Sequence, residues 1–197
     1  MSDETAWPPD PDRDVVLDAR RLRAMAHPMR IKIVGLLRLH GPATATALAQ
    51  RLGVNTGATS YHLRELAKAG MVEEDESRGN ARDRWWRSVY ASTFLDDPDI
   101  LNTEPDAALS YLRGVAQVNA EAMFTHVEDM PGLPPEWQAV STISDFSLHL
   151  TAEQLNQVLE ELLGVLAKYR TDPDAEAPAG TRNVAIQLQA FPREEDR

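Results

Sequence analysis

Two short helical patterns separated by a glycine-containing turn constrain the fold of this chain more than any other feature. The first, "TATALAQRL" at residues 44–52, repeats small and apolar side chains at helical spacing, and "GVN" at residues 53–55 then turns the chain. The second pattern, residues 56–70, starts directly after Asn55, whose side-chain oxygen suits the N-cap of a helix. Two helices joined by a turn that contains Gly53 predict a helix-turn-helix.

The second of these helices keeps bulky side chains away from its start. On a helical wheel Leu63 and Leu66 fall on one side, and the small and polar residues fall opposite or on the flank nearest the helix start. A helix that enters the major groove of DNA brings its N-terminal end closest to the base edges, so bulk there would hold it out of the groove. The pattern therefore indicates candidate DNA contacts at Thr56, Gly57, Ser60, Tyr61, Arg64 and Lys68.

An extended pattern follows Gly70. "MVEEDES" and "DRWWRSV" are separated by "RGNA", which predicts a two-stranded hairpin with a Gly-Asn tip. Alternation along the second strand places Trp85 and Trp86 on opposite faces, one of them in the core. The polar residues around the tip suit phosphate or minor-groove contacts, with plain solvated charges as the alternative; they are Arg78, Asn80, Arg82 and Arg84. We expect the carboxylates of residues 73–76 to point away from DNA or to pair with arginines of the hairpin.

Upstream of the turn, the sequence predicts two more helices. Residues 1–13 are proline-rich and acidic and are expected to form a disordered tail. The apolar residues between Val15 and Ala26 fit one broad helical face. A second helix should start at Pro28, where the missing N–H costs nothing, and end at Gly41-Pro42.

The charge distribution points to one interaction surface. The chain has a net charge of -11, yet between Arg20 and Tyr90 there are 13 basic and 6 acidic side chains, a local balance of +7. A basic segment inside an acidic chain favours an anionic partner for that segment.

Residues 15 to 92 resemble the ArsR-type winged helix-turn-helix regulators. "RLRAMAHPMRIKIVGLL" is similar to the first signature of that family, and "LAQRLGVNTGATSYHLRELAKAGMV" is similar to its core motif. The resemblance implies base-facing positions at Thr56, Gly57, Ser60 and Tyr61, and wing arginines against the DNA backbone or minor groove. It also implies a homodimer that represses transcription until an effector releases it.

The chain departs from many members of that family in its metal ligands. It contains no cysteine, which rules out thiolate metal sites, and "HVED" offers only His126 and Asp129 as a histidine and carboxylate pair. We therefore expect no metal site and no cofactor. Aromatic and apolar residues of the C-terminal half could line a pocket for a small-molecule effector, with ordinary core packing as the alternative; they are Met123, Phe124, Trp137, Phe146, His149 and Tyr169.

The C-terminal half is expected to form a helix-strand-helix-strand unit. An acidic linker at 96–104 leads to a long helix from about Pro105 to Met130, a strand within "WQAVSTISDFSLHL", a helix capped by Thr151, and a last strand "NVAIQLQAF" before the tail 193–197. The leucine stripe after Thr151 is too wide for a solvent-facing helix and should be buried. The fold class is thus mainly α (α+β): a winged helix-turn-helix at 14–95, then a dimerisation and effector region at 105–192.

These features predict a DNA-binding transcriptional regulator with double-stranded DNA and a second copy of itself as partners. No apolar run approaches the length of a membrane span and the N-terminus does not resemble a signal peptide, so we expect a cytoplasmic protein. No glycine-rich phosphate loop or catalytic triad context indicates an enzyme. The alternative is a winged helix that binds a protein partner, with the acidic C-terminal half as the contact surface; an enzyme that uses the winged helix only to dimerise is a third, less favoured, interpretation.

Overall fold

The computed structural model describes residues 10, 12–78, 84–95, 97, 99–169 and 178–193. Helices dominate these residues, and two small sheets lie in the N-terminal half, so the predicted fold class, mainly α with some β-structure, is confirmed. None of the described helices is both long enough and apolar enough to cross a membrane.

The chain starts with a strand where the sequence predicted a helix. The expected helix from Val15 to Ala26 is wrong in its first part, because β1 (Asp14–Val16) pairs in parallel with β5 (Ser92–Phe94). Helix α1 (Ala19–Met25) begins only after Asp18, whose carboxylate accepts a hydrogen bond from the Arg21 backbone N–H at 2.7 Å. A short run of apolar residues fits either structure, and here a distant pairing partner determines the outcome.

The next helix begins and ends as predicted. Helix α2 (Pro28–His40) has Pro28 in its first turn, and it ends at Gly41, whose φ of 75° is a conformation that favours glycine. The half-buried Arg38 ties α2 to the β1–β5 sheet, since its guanidinium donates to the Tyr90 carbonyl at 2.8 Å and to Thr93 Oγ1 at 2.7 Å. Burial lowers the pKa of Arg38 to about 10, so the side chain still carries its charge at neutral pH.

The helix-turn-helix is formed by α3 (Ala45–Leu52) and α4 (Thr56–Lys68). Gly53 takes the left-handed conformation, with φ 65°, and ends α3. Asn55 is the N-cap of α4, as predicted, and its Oδ1 accepts from the Ala58 N–H at 2.8 Å.

The predicted hairpin is confirmed. β3 (Val72–Glu74) pairs antiparallel with β4 (Trp85–Ser88), and β2 (Ala43–Thr44) adds a third strand in the order β2-β4-β3. Trp86 is buried and Trp85 is half-buried, in agreement with the alternation. The tip of the hairpin lies outside the described residues.

One hydrophobic core holds these elements together and extends past them. It includes Leu22, Ile33, Leu48, Leu63 and Leu66 from the four N-terminal helices. Further on, α5 (Ile100–Thr103) and the first half of α6 (Pro105–Asp129) join the same core. The residues that the sequence predicted as a linker therefore lie partly against this core, which continues into the long helix through Ala108 and Tyr111.

The C-terminal half is organised differently. After α6 a 3-10 turn (Met130–Gly132) leads to the short α7 (Pro135–Val140), and α8 (Ala152–Ala167) follows with the predicted capping box of Thr151 and Gln154. None of the residues of α8 is buried, although the leucine stripe predicted burial.

The two strands predicted for this half are wrong for the single chain. "WQAVSTISDFSLHL" starts in α7, and its remainder forms neither helix nor strand; "NVAIQLQAF" forms neither as well. Residues 142–150 and 182–193 form no backbone–backbone hydrogen bond within the described part of the chain. A strand needs a neighbour for its N–H and C=O groups, and the described residues of one chain supply none here.

Candidate nucleic-acid interface

The exposed face of α4 is a stripe of four residues at helical spacing. Gly57, Tyr61, Arg64 and Lys68 follow one another at intervals of four, three and four residues, and all four are exposed. Tyr61 projects most of its ring into solvent, with 54% of the residue exposed. This stripe, defined as those four residues, is the face that the sequence predicted to be free.

The opposite face of α4 is fixed to the core. Thr59, Leu63 and Leu66 are fully buried, and α4 packs against α1, α2, α3 and β3. The Thr59 hydroxyl donates to the Asn55 carbonyl at 3.4 Å, which satisfies this polar group inside the core. The stripe is therefore held on a rigid element, as a recognition surface needs to be.

The small residues at the start of α4 have a structural role as well. A side chain Cβ at position 57 would lie 3.3 Å from Asn55 Oδ1, so Gly57 leaves room for the N-cap. Sequence reasoning assigned Gly57 to DNA contact alone and missed this role. Thr56 is exposed beside it and Ser60 is half-buried, so both hydroxyls lie near the exposed start of the helix.

The basic side chains of α4 are held by weak local contacts. Arg64 Nε donates to the Ser60 carbonyl at 3.1 Å, one turn back along the helix, and Lys68 Nζ lies 2.6 Å from Glu65 Oε1. Exposed ion pairs of this type contribute little to stability, so a phosphate can replace the partner at low cost.

Three arginines of the hairpin are paired with its carboxylates, and for Arg84 and Arg87 this pairing was expected. Arg84 lies 3.1 Å from Glu74, Arg87 lies 2.6 Å from Glu73, and Arg78 lies 3.6 Å from Asp75. Asn80 and Arg82, which the sequence also predicted as DNA contacts, lie outside the described residues.

A histidine pair joins α4 to the start of α2. The rings of His27 and His62 are 4.7 Å apart between centroids, and His27 Nδ1 accepts from the Met29 N–H at 3.1 Å. Burial, followed by the charge of Arg30, lowers the pKa of His27; burial, the His27 charge and then Arg30 lower the pKa of His62. Sequence reasoning placed His62 against a neighbouring helix but did not find His27 as its partner, since 34 residues separate them.

This pair predicts that acid destabilises the domain. Because both folded-state pKa values lie below the ordinary 6.5, the unfolded chain binds more protons than the folded protein as the pH falls below that value. The histidine contribution to stability is present above pH 6.5 and is lost as the pH falls through the folded pKa values. Thermal unfolding between pH 7.5 and 5 should show a falling midpoint, and the double variant His27→Gln/His62→Gln should flatten that dependence.

The matched control for this prediction is His40→Gln, which removes an exposed histidine from the C-terminal end of α2. It should leave the pH dependence of the midpoint unchanged. An unaltered pH dependence in the double variant would contradict the assignment to this pair.

The residues predicted for an effector pocket are spread over the exposed surface of the C-terminal half. Met123 and Phe124 lie on α6, Trp137 lies on α7 and is half-buried, and the remaining three are exposed; they are Phe146, His149 and Tyr169. Side chains this exposed do not enclose a cavity within one chain, and the effector pocket stays a prediction. Among the described residues, no group of three or more His, Asp or Glu side chains is placed to hold a metal ion.

A protein-family model matches part of the N-terminal half of the chain. Residues 25–75 match the family model of a helix-turn-helix domain. This segment has the fold of a helix-turn-helix domain. With the hairpin and strand β2 around it, the predicted winged helix-turn-helix is confirmed, and the match and the fold support a DNA-binding transcriptional regulator.

Solved structures with a likeness to the chain include two from Mycobacterium bovis. One is a homodimeric winged helix-turn-helix DNA-binding domain described as a possible ArsR-family transcriptional regulator; it is 27% identical, with a TM-score of 0.33, over 52% of this chain and 77% of that one. The other, a possible transcriptional regulatory protein, has the same identity, TM-score and share of this chain, and 89% of its own chain is covered.

A third likeness is to ZitR from Lactococcus lactis, a variant in apo form. It is 14% identical, with a TM-score of 0.32, over 73% of this chain and 83% of that one. No curated protein matches the chain. The three TM-scores are too low for these likenesses to carry an argument about function, which depends on the helix-turn-helix domain and its exposed residues.

Proposed function

We propose that this protein is a sequence-specific transcriptional regulator that binds an inverted repeat in DNA as a homodimer. The observation that carries the proposal is the exposed stripe of Gly57, Tyr61, Arg64 and Lys68 on the second helix of a helix-turn-helix. In this motif the second helix lies in the major groove, and its N-terminal residues contact base edges.

The composition of α4 suggests a division of roles along its length. Thr56, Gly57 and Ser60 at the start are small enough to let the helix approach the bases, and the Tyr61 ring is the first large group that a base would meet. Arg64 and Lys68 lie further along the helix, where a contact between a basic side chain and a phosphate would fix the position of the helix on DNA without carrying sequence information. The hairpin arginines Arg78, Arg82 and Arg84, with Asn80, would contact backbone or minor groove beside it.

The C-terminal half supports a homodimer, because so much apolar surface is left uncovered there. Helix α8 has no fully buried residue and exposes Leu162 and Val165, and the second half of α6 exposes Met123, Phe124 and Val127. Exposed apolar patches of this extent are typical of interaction surfaces.

The two segments that form neither helix nor strand indicate how a second copy would cover that surface. Residues 142–150 and 182–193 carry apolar side chains in near alternation, such as Phe146, Leu148 and Leu150 in the first and Val184, Ile186 and Leu188 in the second. Their N–H and C=O groups have no backbone partner within the described residues. Strands of a second copy would supply both the hydrogen bonds and the apolar contacts.

We infer that the protein represses transcription, since a dimer bound to an operator that overlaps a promoter would block access of the polymerase. Release by a small-molecule effector fits the same arrangement, with the aromatic residues of the C-terminal half enclosed between two copies. The absence of cysteine makes thiolate metal sensing unsuitable for this chain.

The test of the proposal is selection from a random duplex library, followed by fluorescence-anisotropy binding across a salt series with a scrambled duplex as control. We expect a two-fold-symmetric site whose affinity falls steeply as salt rises. Absence of any enriched site and of salt-dependent binding would contradict the proposal and favour a protein partner.

Variants of the stripe distinguish contacts with the bases from contacts with the DNA backbone. Tyr61→Ala should change the preference among sites, whereas Arg64→Ala should weaken binding to all duplexes by a similar factor, because a phosphate contact carries no sequence information. Arg113→Gln on α6 removes an exposed charge away from α4 and should leave both properties unchanged. If neither α4 variant alters DNA affinity or preference, α4 does not enter the groove.

A further inference from the structure

A cleft rich in positive charge lies at the C-terminal end of the α4 stripe. It has a volume of about 350 Å³ and is formed by three helices. Arg20 and Arg23 come from α1, Arg30 from α2, and Lys68 with Glu65 from α4. Four basic side chains and one carboxylate give this cleft, which we call the α1–α2–α4 cleft, a clear excess of positive charge.

The cations of the cleft are incompletely paired. Arg23 is bound to Glu104, and Lys68 is bound to Glu65 at 2.6 Å. Arg30 is half-buried, and its Nε is inaccessible to solvent and has no hydrogen-bond partner in the part of the chain that the structure describes. A ligand in the cleft would contact the outer N–H groups of the Arg30 guanidinium, which lines the cleft.

The charge of Arg30 affects the pKa values of neighbouring titratable side chains. Its guanidinium contributes, after burial, to the lowered pKa of His27 and His62, so both imidazoles are neutral at pH 7. The hydrogen bond from Lys68, followed by the charges of Lys68, Arg30 and Arg64, lowers the pKa of Glu65, whose single negative charge is already engaged by Lys68. The potential in the cleft is therefore positive at neutral pH.

We propose that the α1–α2–α4 cleft binds a phosphate group of the DNA backbone next to the groove that α4 enters. Lys68 belongs both to the stripe on α4 and to the cleft, so the two surfaces are continuous. The side chains of Arg23 and Lys68 are 57% and 73% exposed, which leaves the cleft open to a ligand as large as a duplex. Guanidinium groups match the oxygens of a phosphate in geometry and charge.

This inference rests on the proposed DNA-binding function and adds Arg20 and Arg30 to the residues that contact DNA. Neither was among the contacts that the sequence predicted. Both act on the backbone, so their effect should be the same for every sequence, unlike that of Tyr61.

The experiment measures affinity against salt for Arg20→Gln and Arg30→Gln, with Arg113→Gln as the control for loss of one exposed charge. Each cleft variant should bind the operator and an unrelated duplex roughly tenfold more weakly. The slope of log affinity against log salt should become shallower by about 0.9 for each phosphate that the variant no longer neutralises. Arg30→Lys should recover most of the slope, because it keeps the charge.

Arg20 is exposed, so its variant tests the cleft even where the Arg30 variant unfolds, and a thermal melt checks both. Unchanged affinity and slope in the cleft variants, while Tyr61→Ala still alters site preference, would overturn the cleft assignment and leave the proposed function intact. Failure of the wild-type chain to bind any duplex would instead remove the proposed function and the cleft assignment with it.

A free phosphorylated ligand is separated from DNA by a second measurement. If inorganic phosphate raises the melting temperature of the wild type but not of Arg30→Gln, at constant ionic strength, while the DNA slopes of the variants stay unchanged, the cleft holds a free anion and the DNA assignment is wrong.

Discussion

Replacing Leu63 with alanine should lower the free energy of unfolding by about 2 to 5 kcal/mol, the range measured for leucine truncation in protein cores. Leu63 is fully buried on the inner face of α4, among side chains of the core that α1, α2 and α3 also form. Truncation removes apolar contacts and leaves a cavity that these packed helices can close only in part. The urea midpoint should fall with an unchanged m-value, measured at one protein concentration because a dimer's stability depends on it.

The control for this prediction is Leu39→Ala. Leu39 lies on α2 but is about half exposed, so its truncation should change the free energy of unfolding far less. Equal and small shifts in the two variants would mean that α4 is not held by this core. The position of the exposed stripe would then have no fixed scaffold.

The helix-turn-helix was predictable because its signals are local. Asn55 caps α4 from the adjacent position, Gly53 supplies the left-handed turn, and the spacing of Leu63 and Leu66 identifies the buried face without knowledge of any other element. The free face follows from the same spacing. The candidate contacts on α4 could therefore be named from the sequence alone.

Contacts between distant segments were not predictable in the same way. The strand Asp14–Val16 exists because residues 92–94 pair with it, and nothing within residues 14–26 distinguishes it from the first turn of a helix. His27 lies against His62, and Arg30 shares a cleft with Arg20 and Lys68, only because α1, α2 and α4 pack together. In the sequence these residues belong to three separate helices, and no local pattern indicates that they are in contact.

In the C-terminal half, the sequence predicted strands within residues 137–150 and 183–191, and the structure has no strand in either segment. Alternation of apolar side chains predicts which face of a strand would be buried. A strand also needs a neighbouring strand for its backbone hydrogen bonds, and the described residues do not provide one. The leucine stripe of α8 failed as a predictor of burial for the same reason. Both patterns describe apolar surface that a second copy would cover in the proposed homodimer.

A charge placed on either segment, 142–150 or 182–193, should therefore convert the proposed homodimer to monomers. Leu148→Asp and Ile186→Asp alter residues that are 65% and 66% exposed in the single chain, so each substitution should have only a small effect on contacts within it. In a homodimer closed by these segments, each would place two unpaired carboxylates in an apolar interface, which is strongly unfavourable. Light scattering should show a dimer for the wild type and a monomer for both variants.

Loss of the dimer should have a large and specific effect on DNA binding. Affinity for the complete inverted repeat should fall by about 10²- to 10⁴-fold, since the second half-site is no longer bound intramolecularly, while affinity for an isolated half-site should stay the same. Leu39→Asp places the same charge on an exposed leucine of α2 and should remain dimeric. If both segment variants remain dimers with full operator affinity, the dimer is not closed through these segments and its interface lies elsewhere. If they are monomers that still bind a half-site, the surface that forms the dimer is distinct from the surface of α4 that contacts the bases.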